Sequence, residues 1–359
     1  MLTAFIVRQT KIIEKLIDQF IHDATVQTAR VLPEGIEEGE GFFFKDYPAL
    51  SRQVDFLLKG LSARLVKTIQ AGSEWSWDLA NEKNDNLLKK VLESIGATRV
   101  PQAAIDRWSQ KNLPALAAFE QRRIGGMGLS ERVWKYTKGM KGDLELALDL
   151  GLGEGASADR LSRMVRRFLK EPERLYRRVR DEKGILRLSK SASNYHPGQG
   201  VYRSSYKNAK RLTVTETNMA YRSADMERWE QMDFILGIEI RTSETNHTCL
   251  DSHGVPQPFY DICDELAGRY PKWFKFVGWH PNCRCYVISV LPDRDEMIKY
   301  LAAMNDGGVS SYHLKGYIEE VPPQLVDWVQ ENESRIVNAK VQPYWIRDNS
   351  EVISSILNP

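Results

Sequence analysis

The chain has 359 residues, 42 % hydrophobic and 27 % charged, with a formal net charge of +2. Such a composition is that of an ordinary soluble globular protein, and the length exceeds what one hydrophobic core usually serves. No run approaches eighteen apolar residues, which excludes a membrane-spanning helix, and four cysteines are too few for a disulfide scaffold and fit a reducing compartment.

The first apolar stretch is interrupted by Arg8 and Lys11 and lacks a small-residue cleavage site, so no signal peptide is expected and the protein is read as intracellular where it is made. Leu2, Phe5, Ile6, Ile12, Ile13, Leu16, Ile17, Phe20 and Ile21 recur at helical spacing and predict an amphipathic helix over 2–22. A loop over 33–48 contains Phe42-Phe43-Phe44. Three adjacent phenylalanines cannot all point one way, so buried anchors and a partner contact are both open. Residues 50–119 read as helical, with breaks near Gly72, 96–101 and Pro114. This stretch gives an all-helical N-terminal domain over 1–123.

Ile124-Gly-Gly-Met-Gly128 marks a boundary, after which 124–200 is a helical connector. Ser130 is placed to cap the next helix, with Glu131 in its first turn; a further helix covers 143–150, and Ser157 caps another reaching Leu169. The two helices about Gly151–Ser157 superficially suggest a helix-turn-helix, but short helical connections of this kind are commonplace. Between Arg160 and Arg211 there are sixteen Lys and Arg against four Asp and Glu, a net of +12, which leaves the rest of the chain acidic. Arg160, Arg163, Arg166, Arg167, Lys170, Arg174, Arg177 and Arg178 are candidate contacts for DNA or another anion, a solvated face being the alternative.

A core region over 201–359 opens with a long helix at 203–232, whose Leu212, Met219, Met226 and Trp229 form one apolar stripe. Arg211, Thr215 and Glu216 lie on it. A helical carboxylate there is a general base only in company, and is more often a structural acid. Residues 235–240 read as a strand. All four cysteines and three of the six histidines then fall in 247–285: His247, Cys249, His253, Cys263, His280, Cys283 and Cys285. Frequent Gly and Pro make this a compact, loop-rich knuckle. Tyr286-Val-Ile-Ser-Val290 is a strand, so Cys283 and Cys285 stand at its entry on one face. Cys249, Cys263, Cys283 and Cys285, with His247, His253 or His280 as substitutes, are the candidate ligands of a structural Zn²⁺. A disulfide from Cys263 to a distant cysteine, or reduced thiols, is the rival.

The helix with Arg211-x-x-x-Thr215-Glu216, the stretch CDELAGRYPKWFKF, and the terminal His280-Pro281-Asn-Cys283-Arg-Cys285 resemble the phage Mu F-like minor head proteins over roughly 125–290. Members often carry Cys-x-x-Cys in the first half of the knuckle; here Ser252 stands three after Cys249. The strands among long helices make this an α+β fold, mostly helical, with a small sheet and a Cys/His knuckle in the C-terminal half. The resemblance implies a non-enzymatic virion protein assembled in the bacterial cytoplasm. Its partners would be the portal protein and other head proteins, and the basic segment adds phage DNA bound without sequence preference. Arg211, Thr215, Glu216, His280 and Pro281 would be structural. A metal-assisted nuclease, or another toxin-like enzyme, is the alternative, but only 69 residues follow Val290 and no phosphate loop or nucleophile elbow is present. A nucleic-acid-binding module through the knuckle is weaker, its spacing matching no such motif.

Beyond the strand, helices are expected over 293–304 and from Pro322. A tail containing Pro343-Tyr-Trp345 is expected to pack back by its aromatics.

Overall fold

The computed structural model describes residues 1–32, 42–96, 99–152, 158–170, 179–180, 186–187, 204–243, 248–250, 256–258, 260–339 and 341–358. The fold is α+β and mostly helical, with a three-stranded sheet and a Cys/His cluster in the C-terminal half. Two compact units divide it: residues 1–72 with 121–214, and residues 73–120 with 215–359. The cut at Gln121 lies near the Ile124–Gly128 boundary. The other two fall inside the helices Pro48–Ser94 and Ser205–Gln231.

The first unit is helical. Helix α1 (Leu2–Val31) runs past the 2–22 stripe and buries Ile13, Ile17, Phe20, Ile21 and Ala24. These pack with Leu50, Val54, Leu58, Leu61, Leu65 and Ile69 from the first half of α2 (Pro48–Ser94). Gly72 does not break α2. A Cβ at this position would lie 1.4 Å from Gln9 Nε2, which donates to the Thr68 carbonyl at 3.0 Å. The glycine thus admits a buried side chain of α1 where local sequence signals a stop. Gly72→Ala is expected to displace that amide and cost about 1–3 kcal/mol, read as a lower urea midpoint. Adding Gln9→Ala is expected to recover most of the loss.

Phe42 and Phe44 are buried, their backbone N–H groups donating to Asp149 Oδ1 (2.6 Å) and Glu145 Oε2 (2.7 Å), while Phe43 is half-exposed with Lys45 Nζ over its ring. Helices α3 (Gln102–Trp108) and α4 (Leu113–Gln121) precede α5 (Leu129–Thr137). Ser130 does not cap α5: Gly128 holds that position, its N–H donating to Glu131 Oε2 at 2.7 Å. The acid three residues on satisfies the Gly128 N–H, and Ser130 lies inside the first turn. Helices α6 (Met140–Leu152) and α7 (Ala158–Lys170) follow; Ser157 and the turn before it lie outside the described residues.

The long helix, α8, spans Ser205–Gln231. Strands β1 (Val179–Arg180) and β2 (Leu186–Arg187) pair before it. In the second unit β3 (Gly237–Arg241) is central, antiparallel to both β6 (Gly268–Tyr270) and β7 (Tyr286–Val290). Ile238 faces Tyr270 on one side and Ser289 on the other. Strands β4 (Thr248–Leu250) and β5 (Pro256–Pro258) form a separate pair. Ile238, Ile240, Tyr270, Phe274, Phe276 and Trp279 join one core with residues of the C-terminal helices, Leu325, Val329, Trp345, Ile346 and Ile353. The tail does pack back: Trp345 meets Trp279 edge-on at 5.1 Å between centroids and Trp328 at 5.4 Å. Among the described residues no helix is long and apolar enough to cross a membrane.

Candidate metal centre

Two segments build the centre. Asp261 caps the short helix α9 (Ile262–Glu265), its Oδ1 accepting the Cys263 N–H at 2.8 Å, and this fixes Cys263 in the first turn. The second segment is the loop before β7. Cys283 N–H donates to the His280 carbonyl at 3.0 Å across Pro281 and Asn282, and Asn282 has φ +65°. Proline at the second position and a left-handed asparagine at the third suit a type II turn. The turn returns Cys283 toward Cys263, and Cys285, two residues on, faces the same way.

Two donor sets result, sharing Cys263: Cys263, Cys283 and Cys285, and Asp261, Cys263 and His280. Within each, the ligand atoms lie within 4.8 Å of one another. Cys263 Sγ is 3.8 Å from Cys283 Sγ and 3.1 Å from His280 Nε2. A tetrahedral ion with bonds of about 2.3 Å to sulfur separates two sulfurs by about 3.8 Å. The Cys263–Cys283 pair therefore stands at the spacing such an ion needs, and the cluster could hold a metal. His280 Nδ1 lies 2.9 Å from the Pro281 carbonyl. A proton there leaves Nε2 as the free lone pair facing Cys263, the orientation of a ligating imidazole. Asp261 Oδ2, 3.3 Å from Nε2, adds a third electron-rich atom at the same point.

Cys263, Cys283 and Cys285 are buried free thiols, so none of them forms the disulfide held open above. They titrate as a set. Hydrogen bonds from Cys263 and then Cys285, with the charge of Arg222, hold Cys283 well below the usual thiol range. Cys263 is driven up by its hydrogen bonds to Cys283 and Cys285 and by burial. A hydrogen bond from Cys263 lowers Cys285, yet its bond to Cys283, burial and the Cys283 charge leave it pushed up to about 12. Ionising all three thiols together therefore calls for a cation among them.

One face of α8 holds the loop. Arg222 donates to the carbonyls of Val277 (2.8 Å), Cys283 (2.8 Å) and Cys285 (2.6 Å), with its guanidinium 5.5 Å from the Phe276 ring centroid. Asn218 Nδ2 reaches the Cys283 carbonyl at 3.3 Å, and the Asn282 N–H donates to Thr215 Oγ1 at 2.9 Å. Gly278 has φ +129°, and a Cβ there would lie 2.7 Å from an Arg222 guanidinium nitrogen. Any side chain at 278 would push that arginine off the loop.

Of the sequence candidates, the structure thus brings together Cys263, Cys283, Cys285 and His280. Cys249 falls in β4, where no side chain is described, and His247 and His253 lie outside the described residues, as do Arg174, Arg177 and Arg178. Thr215 meets the loop directly and Glu216 is buried on the same helix. Arg211 belongs to the first unit. Asp261, Asn218 and Arg222 were not among the candidates. Thr215, Asn218 and Arg222 recur at i, i+3 and i+7, a polar stripe that could have marked them beside the apolar one. The chain matches no protein-family model, no curated protein and no solved structure.

Proposed function

We propose that this chain is a structural head protein of a tailed phage or prophage, acting at the portal vertex in head assembly or DNA delivery. In this reading Cys263, Cys283, Cys285 and His280 hold one structural Zn²⁺. Three thiols and an imidazole are soft donors that favour zinc over magnesium, calcium or manganese. Together they would supply four ligands to a tetrahedral ion, and the cysteines are at most 2 % exposed. A catalytic zinc keeps a position open for water or substrate, whereas a closed set stabilises a fold. The observation that carries the reading is the junction on Arg222. The two segments that carry the resemblance, the α8 helix and the His-Pro-Asn-Cys-Arg-Cys loop, are separate in sequence and form one buried assembly.

Purified heads from the producing host are expected to contain the chain in few copies, by quantitative mass spectrometry. Deleting its gene is expected to yield heads that are misassembled or fail to deliver DNA. Absence of the chain from purified particles would refute the proposal. Metal-dependent cleavage of DNA by the purified chain, abolished by Cys285→Ser, would support the nuclease in its place.

A further inference from the structure

Helix α7 buries Leu161, Val165 and Leu169 in the core of the first unit, which fixes its rotation. Arg163, Arg166, Arg167 and Lys170 consequently leave on another face and line a surface cavity of about 380 Å³ with Asp18 of α1. Among the described residues the lining carries four cations and one acid. Lys170 Nζ takes that acid at 3.0 Å from Asp18 Oδ2 and lies over the Tyr206 ring. Among the described residues Arg163, Arg166 and Arg167 have no carboxylate partner; Arg166 donates only to its own helix, at the Ser162 carbonyl. Like charges at these spacings destabilise a helix unless an anion lies between them.

We propose that this cavity is a phosphate-binding site for the backbone of double-stranded DNA. Guanidinium forks match phosphate oxygens in pairs, and three of the four cations are arginine. Arg163 to Lys170 covers about 10 Å of helix axis, the reach of about three successive phosphates along one strand. The row also opens the segment up to Arg211 with its net charge of +12. A uniform polyanion neutralises such a run, whereas an acidic protein face offers carboxylates only at intervals. No residue of the metal centre takes part, so the site stands or falls independently of it.

The test is fluorescence anisotropy of the full chain with a labelled duplex of random sequence, between about 50 and 200 mM salt. Binding is expected to weaken steeply with salt and to be indifferent to sequence. Arg163→Gln/Arg166→Gln/Arg167→Gln is expected to reduce the log–log salt slope by about 2.7 and to weaken binding at low salt by more than about tenfold. Arg163→Gln/Arg167→Gln changes two exposed side chains only. It is expected to melt like the parent and to lose about 1.8 of the slope, which separates lost contacts from lost folding. Parental affinity and slope in either variant, or no binding by the parent, would overturn the proposal. Displacement of the duplex by polyglutamate at lower charge concentration than by unlabelled DNA would overturn it in favour of an acidic protein partner.

Discussion

Removal of the proposed Zn²⁺ with a high-affinity chelator is expected to abolish the cooperative unfolding transition of the second unit. Structural zinc contributes apparent free energies of about 10–16 kcal/mol in small zinc domains. A whole domain is stable by about 5–15 kcal/mol, so the loss is of the size of the entire margin. The three thiols lie inside the same core as Tyr270, Phe274, Phe276 and Trp279. Without a cation, the turn from His280 to Cys283 is tied to α9 by the contacts of Cys263 Sγ with His280 Nε2 and Cys283 Sγ in place of metal bonds. Near-ultraviolet circular dichroism of the clustered tryptophans should collapse with chelation and return with added Zn²⁺. Cys263→Ser and Cys283→Ser should behave like the chelated chain. The first-unit core contains none of these side chains, so much of the helical signal should persist. Thiolate and neutral imidazole are the ligating forms, so metal is expected to leave as pH falls and protons compete for them. A chain that chelation leaves unchanged would show that packing alone holds this unit.

Replacing Arg222 is expected to produce the largest loss outside the ligands. Its guanidinium satisfies three backbone carbonyls, two of them belonging to Cys283 and Cys285. Hydrogen bonds to a charged group contribute about 1.5–3 kcal/mol each, and buried acceptors left without a donor add a desolvation cost. The three are not additive, and Arg222→Met is expected to cost about 3–5 kcal/mol in urea unfolding. Arg222→Lys should rescue little, because a point charge with a short reach cannot serve three acceptors in a fixed plane. Loss of such a supporting residue typically weakens metal binding by about 10–100-fold, which competition with a zinc indicator would read. A purely structural arginine, far from the metal, would lower stability and leave that affinity unchanged.

Much of this arrangement was legible in the sequence where its cause is local. Tyr286–Val290 is strand as its β-branched run predicts, and α8 follows its apolar stripe to within two residues at each end. The α+β class followed from the same signals. The departures have tertiary causes. Strand β6 has three residues and begins at a glycine with φ +154°, so pairing with β3 rather than propensity makes it a strand. Gly72 carries a stop signal whose actual use is the approach of Gln9. Composition drew attention to the cysteines, and spacing placed Cys283 and Cys285 on one face. The position of Asp261 beside His280, and that of Arg222 over carbonyls 55 to 63 residues away, arise only from chain folding.

X-ray absorption at the zinc edge of the purified full chain measures the centre itself. The account predicts about one zinc per chain with three sulfurs at about 2.3 Å and one nitrogen at about 2.0–2.1 Å, the nitrogen lost in His280→Ala. A shell of oxygen and nitrogen alone, or zinc far below one per chain in protein never exposed to chelator, would contradict it.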